Sequence, residues 1–136
     1  MIDWYYKIWV DCILTAKSNP NNKNDWPYYT MIFMSMAMSG NSIVLMVALM
    51  KYVFHSDFYF IHINILPGDN LDNFLNFFVL YLGPILFLNY FLIFFNDRYK
   101  KILNKYKYYN GKLFATYFVC SLILPLMIIV TVYLLQ

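Results

Sequence analysis

The chain has 136 residues, of which 62% are hydrophobic and 12% are charged, and its net charge is +3. Soluble domains carry about 25% charged residues, and a chain this short has room for one folded unit. A soluble protein of this size has too much surface to bury so many apolar side chains. The composition therefore excludes an ordinary soluble domain and favours an integral membrane protein.

The amino-terminal region, residues 1–25, predicts an amphipathic helix followed by a polar linker. Apolar residues recur at spacings of three and four: Ile2, Tyr5, Trp9, Cys12 and Ala16. Asp3, Lys7 and Asp11 lie four residues apart on another face of the same helix. The linker, residues 18–25, is rich in Asn and contains a proline, which favours a turn.

Trp4, Tyr5 and Trp9 are expected to anchor this helix at the membrane–water interface. Aromatic side chains favour that region because their bodies are apolar and their tips are polar. We therefore predict that the helix lies along the membrane surface. Packing of the same helix on other protein is the alternative, and the two placements are compatible.

Residues 26–136 predict a membrane domain of three helices, with spans at about 26–50, 71–95 and 113–135. At about 1.5 Å per residue, each stretch is long enough to cross a hydrocarbon core about 30 Å thick. The predicted fold class is an all-α integral membrane protein. It has an amino-terminal interfacial helix and three transmembrane helices.

Small and polar residues interrupt the first span at Ser35, Ser39, Gly40 and Asn41. Ser35 and Ser39 have three residues between them, the spacing that lets helix backbones approach closely in lipid. We predict that these four residues form a helix-packing face.

Gly83-Pro84 in the second span and Pro125 in the third are predicted kinks. Proline bends a helix because it removes one backbone hydrogen bond and crowds the preceding turn. Gly83-Pro84 also resembles the interruptions of transporter helices. A structural bend is the interpretation we prefer.

Residues 51–70 lie between the first two spans. The alternation from Ile61 to Ile65 favours an extended segment, either at the outer interface or paired with a strand of another chain. His55 and His62, with Asp57 between them and Asp69 nearby, are the one place where the sequence offers a set of metal ligands within this chain. A separation of seven residues is not diagnostic of a site, and we predict no metal.

Most basic residues follow the second span. Six of the ten lie between residues 96 and 112: Arg98, Lys100, Lys101, Lys105, Lys107 and Lys112. Cytoplasmic loops are enriched in Lys and Arg, so this loop is predicted to be cytoplasmic. Three spans then place the amino terminus in the cytoplasm and the carboxyl terminus outside. We expect these six residues to contact anionic head groups of the bacterial inner membrane, and we predict no nucleic-acid partner.

Motifs of catalysis are missing from the sequence. No ionisable side chain lies in the central part of any predicted span, which excludes the commonest signs of proton relays and ion pumps. Phosphate-binding loops, nucleophile elbows and HExxH motifs are absent too. The architecture resembles small bacterial diacylglycerol kinases, but such an enzyme needs acidic groups to hold magnesium, and this chain has no Glu. We predict that the protein is not an enzyme and has no cofactor.

Five stretches, residues 4–9, 66–68, 89–94, 98–101 and 106–113, carry a family resemblance. They resemble small three-span inner-membrane proteins of the Bacteroides and Prevotella type. The resemblance implies a location in the inner membrane, and it brings no activity with it.

The leading functional hypothesis is a non-catalytic accessory or interaction protein. It would join a larger membrane complex or self-associate through the face of Ser35, Ser39 and Gly40. One alternative is a membrane-permeabilising or immunity-type protein of a defence or toxin system. A second alternative is a small oligomeric transporter or channel, which would need Asn41, Asn76 and Asn89 to converge.

Overall fold

A computed structural model of the chain describes residues 2–22, 24–49, 53 and 69–134, and the secondary structure in these ranges is entirely helical. The helices are α1 (Ile2–Ser18), α2 (Trp26–Leu49), α3 (Asp69–Phe77), α4 (Gly83–Asn89), α5 (Arg98–Lys105) and α6 (Lys112–Leu134). A 3-10 turn, Pro20–Asn22, joins α1 to α2. The predicted all-α class is confirmed. The extended segment expected at Ile61–Ile65 lies outside the described residues.

The second predicted span is a helical run that contains two wider turns. A first π turn, Phe78–Leu82, lies between α3 and α4, and a second, Tyr90–Phe94, follows α4. The N–H of Gly83 donates to the carbonyl of Phe78, five residues earlier. Pro84 has no N–H for the next bond, and the widened turn accommodates this loss. A Cβ on Gly83 would lie 3.0 Å from the Phe78 oxygen, so the glycine gives this turn its room.

Helical geometry stops at Phe95–Asp97. Phe95 takes a ψ of 130°, and Asn96 and Asp97 take φ values of 54° and 55°. Asn and Asp tolerate this left-handed region because their short polar side chains bond locally. The helical run of the second predicted span therefore ends here, and α5 starts as a separate helix.

Two helical stretches of the described chain are long and apolar enough to cross a membrane, Trp26–Met46 and Phe74–Lys105, and the second is interrupted at Phe95–Asp97. The apolar stretch described in α6, Lys112–Ile128, is shorter. Two membrane-length helices are thus present, and the third predicted span rests on the sequence. Pro125 lies inside α6, where it cannot donate to the carbonyl of Ser121.

The hydrophobic core lies at one end of the bundle and is built around α1. Trp9, Cys12 and Ile13 pack with Met34 of α2 and Ile93 of the second π turn. All residues from Trp9 to Ile13 are buried. Successive residues of a helix point about 100° apart, so the middle of α1 is enclosed on every side. The two predicted regions, 1–25 and 26–136, therefore share one core.

Candidate functional site

The predicted helix-packing face contacts other helices of the same chain. Ser35 and Ser39 are 0% exposed. Asn41 donates to the hydroxyl of Ser121 in α6 at 2.8 Å, and a Cβ on Gly40 would lie 3.8 Å from the Ser121 carbonyl oxygen. The face is thus occupied within the chain. We expected a second copy of the chain to bind at Ser35, Ser39 and Gly40. That expectation is corrected, because helices of the same chain already cover this face.

Asn89 connects three helices through its side-chain amide. The hydroxyl of Tyr5 in α1 donates to Oδ1 of Asn89 at 2.8 Å, and Nδ2 of Asn89 donates to the hydroxyl of Ser35 at 2.8 Å. Nδ2 also lies 3.5 Å from the sulfur of Met38. Burial raises the pKa of Tyr5 to about 12, so its hydroxyl stays protonated well above neutral pH. Tyr5 therefore bonds inside the protein, away from its predicted interfacial position.

Two of the three asparagines of the transporter hypothesis bond to different partners. Asn41 bonds to Ser121 and lies 3.4 Å from the hydroxyl of Tyr117, whereas Asn89 bonds to Tyr5 and Ser35. Asn76 is a buried residue of α3. The bonds of Asn41 connect α2 to α6, and those of Asn89 connect α4 to α1 and α2.

The predicted interfacial anchors differ sharply in exposure. Trp4 is 61% exposed, as an anchor should be, whereas Trp9 is 0% exposed. The Trp9 ring packs edge-on against Phe94 with 6.0 Å between centroids, and against Tyr5 at 6.3 Å. Trp9 is therefore a core residue, and its assignment as an anchor is wrong.

Asp11 caps α6 from a distant part of the chain. Its Oδ1 accepts the backbone N–H groups of Tyr109 at 2.9 Å and Gly111 at 3.0 Å. Its Oδ2 accepts the N–H of Phe114, in the first turn of α6, at 3.1 Å. A carboxylate at this place accepts hydrogen bonds from N–H groups that the start of a helix leaves unpaired. Its negative charge also interacts favourably with the positive end of the α6 dipole. Asp11 is fully buried, so it belongs to the core and not to the predicted polar face.

Gly111 allows the close approach that this cap requires. Its φ is +76°, and a Cβ there would lie 2.9 Å from the hydroxyl oxygen of Thr15. Thr15 donates to the Asp11 carbonyl at 2.7 Å and so stays in position. A glycine is needed at residue 111 for both reasons.

The end of the bundle near α5 combines aromatic rings with cations. Trp26 packs against both Phe94 and Tyr99, with centroid distances of 6.1 and 5.3 Å. The ammonium of Lys17 sits 4.2 Å from the Trp26 ring centroid. Desolvation lowers the pKa of Lys17. The linker after α1 and the basic segment therefore lie at the same end of the molecule.

The six predicted head-group residues have different surroundings. Lys100 pairs with Asp97 at 2.8 Å, and this hydrogen bond raises the pKa of Lys100. The guanidinium of Arg98 donates to the Phe91 carbonyl at 3.2 Å. Lys101 and Lys105 line a groove together with Arg98. Lys107 and Lys112 are exposed and do not line it.

The possible metal ligands His55, Asp57 and His62 lie outside the described residues. Within the described ranges, no three metal-ligating side chains come together. Cys12 is a buried free cysteine whose pKa burial raises to about 12, and Cys120 is exposed on α6. The Cys12 thiol is therefore protonated and shielded from reagents at neutral pH.

Sequence reasoning missed Asp11 and the bond between Tyr5 and Asn89. One signal for Asp11 was present: the residue before α6 is Gly111, which has no side chain to cap a helix. An acid from elsewhere in the chain can supply that cap. No pattern indicates that Tyr5 and Asn89 meet, because 84 residues separate them.

The described chain thus defines an all-helical protein with two helices of membrane length and a core built on its amino-terminal helix. No family model, no curated protein and no solved structure matches the chain. Functional inference therefore rests on its own residues.

Proposed function

We propose that the chain is a non-catalytic interaction protein of the bacterial inner membrane, with three spans and a cytoplasmic amino terminus. The polarity of the bundle supports this. Buried positions include Ser35, Ser39, Asn89 and Ser121, whereas large apolar side chains cover the outside of α2, α4 and α6. Soluble proteins bury apolar groups and expose polar ones, and lipid-embedded bundles hold their polar residues between helices.

The exposed carboxyl-terminal half of α6 is the observation that carries the interaction role. Leu122, Ile123 and Leu124 are 52%, 51% and 47% exposed. Because successive helical residues point about 100° apart, more than half of the helix circumference is apolar and uncovered there. Leu126, one turn further on, is 62% exposed. This surface suits a helix of another membrane protein or of a second copy, and it replaces the Ser35 face as the predicted contact.

Size in mild detergent tests the proposed contact. Leu122→Trp with Leu126→Trp adds bulk to one face of α6, and lipid tolerates such bulk better than a packed helix contact does. Ile32→Trp with Met36→Trp is the matched control on α2, where these side chains are 50% and 51% exposed. We expect the parent and the control to run as a complex by light scattering, and the α6 variant to run as a monomer. A monomeric parent that purifies without another protein would refute the proposal.

The cytoplasmic amino terminus is supported by the contacts of Lys17 and Trp26. They bring the linker of residues 18–25 to the same end as the basic segment. Cationic residues gather on the cytoplasmic side of membrane proteins. A reporter that is active only in the cytoplasm should work at the amino terminus and fail at the carboxyl terminus. The reverse pattern would overturn the orientation.

A membrane-potential dye separates this role from the permeabilising alternative. We expect induced expression to leave the membrane potential unchanged. The side chains of Asn41 and Asn89 form hydrogen bonds within the chain, and we therefore do not expect them to line a pore. Depolarisation by the parent chain would favour a pore.

A further inference from the structure

Two cavities beside α1 share two lining residues, Tyr6 and Leu92, and we describe them as the two halves of one groove. The cationic half, about 360 Å³, is lined by Arg98, Lys101 and Lys105 and by Tyr106. The apolar half, about 450 Å³, is lined by Ile2 and Tyr5. The cationic half therefore adjoins the apolar half.

The cations of the groove have donors left for a ligand, although the ammonium of Lys105 also lies 5.1 Å from the ring centroid of Tyr106. Arg98 uses one guanidinium nitrogen on the Phe91 carbonyl, and a guanidinium has five N–H donors in all. The neighbouring Lys100 bonds to Asp97 and lies outside the groove. Asp3 is the acid beside the groove, where it accepts a hydrogen bond from Tyr106. Three cations against one acid leave the groove positive.

We propose that this groove binds a single anionic phospholipid. Its phosphate would contact Arg98, Lys101 and Lys105, and an acyl chain would lie along Ile2, Tyr5 and Leu92. The order of the two halves fits such a molecule, because Leu92 belongs to the apolar span and Arg98 follows the end of that span. A free anion would use only the cationic half. This inference rests on the proposed membrane location.

The proposal separates the basic residues into two groups. A general attraction to the membrane surface would use all six cations equally. A bound lipid uses the cations of the groove, and Lys100, Lys107 and Lys112 do not line it. Charge-matched variants therefore distinguish a site from a surface.

Native mass spectrometry of the full chain, purified from membranes in mild detergent, tests the site. Dioleoyl phosphatidylglycerol and dioleoyl phosphatidylcholine are the two lipid probes. We expect one phosphatidylglycerol to bind per chain, at a concentration at least tenfold below that for phosphatidylcholine. Lys101→Gln with Lys105→Gln should weaken phosphatidylglycerol binding about 25-fold, since a cation near a lipid surface contributes about fivefold. Lys100→Gln with Lys107→Gln removes the same charge and should change binding less than twofold.

Shorter probes test the apolar half of the groove. Dihexanoyl phosphatidylglycerol should bind more weakly than the dioleoyl lipid, and inorganic phosphate should compete least. Equal competition by inorganic phosphate would show a simple anion site and overturn the proposal. Equal binding of the two dioleoyl lipids, which needs no variant, would overturn it as well.

Fractionation of the same cells keeps the two proposals apart. If the chain stays with the membrane after a carbonate wash but lacks phosphatidylglycerol preference, the lipid site fails and the membrane location stands. If the chain is recovered in the soluble fraction, the membrane location fails and the lipid site fails with it.

Discussion

The middle of α1 and the carboxyl-terminal half of α6 are both helical, yet their surroundings are opposite. Trp9–Ile13 of α1 is buried on every side although it contains Asp11. Leu122–Leu124 of α6 is wholly apolar and about half exposed. From hydropathy alone, one would expect the segment with Asp11 to be exposed and the wholly apolar segment of α6 to be buried. Asp11 is buried where three backbone N–H groups meet its carboxylate, whereas the apolar segment Leu122–Leu124 faces outward.

The difference shows where the specific contacts of the fold are concentrated. At the α1 end, edge-on ring packing, a buried carboxylate and the Asn89 bonds hold four helices together. In lipid, apolar surface has little driving force to associate, so directional bonds and close packing decide which helices meet. Stability should therefore depend on the α1 end and be insensitive to the outer half of α6.

The largest loss of stability is expected for Trp9→Ala, which tests whether the buried middle of α1 stabilises the fold. Removing a fully buried Trp leaves a large cavity and should lower the free energy of unfolding by about 4 kcal/mol. Trp4, on the same helix and 61% exposed, is the matched control. Trp4→Ala should cost less than about 0.5 kcal/mol. Unfolding by SDS in mixed micelles, followed by circular dichroism, measures both, and equal losses would refute the packing of α1.

Asp11→Ala should cost about 3 kcal/mol, because three N–H donors at the start of α6 lose their shared acceptor. Asp3→Ala changes an exposed acid of the same helix and should cost less than about 0.5 kcal/mol. The same SDS titration compares them. If Asp11→Ala unfolds at the SDS concentration of Asp3→Ala, the remote cap does not stabilise α6.

A smaller effect is expected for the bond between Tyr5 and Asn89. A double-mutant cycle of Tyr5→Phe and Asn89→Ala should give a coupling of about 1 kcal/mol, the usual range for side-chain bonds between membrane helices. Tyr6→Phe in place of Tyr5→Phe serves as the control, since Asn89 receives its phenol bond from Tyr5. Additive losses for Tyr5 and Asn89 would contradict the bond.

The outer half of α6 should give the smallest effect. Leu126→Ala removes an exposed side chain and is expected to change the free energy of unfolding of the monomer by less than about 0.5 kcal/mol. The same SDS titration applies, with Ile13→Ala as the buried aliphatic counterpart. A loss above about 2 kcal/mol at Leu126 would place this residue in the core and remove the contrast between the two regions.

The parts of the fold that sequence predicted are those set by local chemistry. Helices begin at Trp26 and Lys112, close to the predicted starts at about 26 and 113, because turn residues precede each start. Asp69, near the predicted start at about 71, is the first described residue after a gap, and the third span stays a prediction. Gly83-Pro84 marks the first π turn for a local reason as well.

The missed parts depend on residues far apart in the chain. Asp11 repeats at a helical spacing from Lys7, which predicts a polar surface, and its three bonds come from residues about a hundred positions later. Trp9 is likewise of a residue type common at membrane interfaces, but its side chain is buried in the core. Periodicity reports which residues share a face, and it cannot report what that face meets.

The cap on α6 also sets an order for making this protein. The ribosome synthesises α1 before α6, so the carboxylate of Asp11 has none of its three native donors until the segment that starts α6 emerges. The contact from Asp11 to Gly111 joins residues 100 positions apart, with α2 to α5 between them. A chain cut short before Tyr109 would leave this carboxylate without these three donors at the place where the core should close.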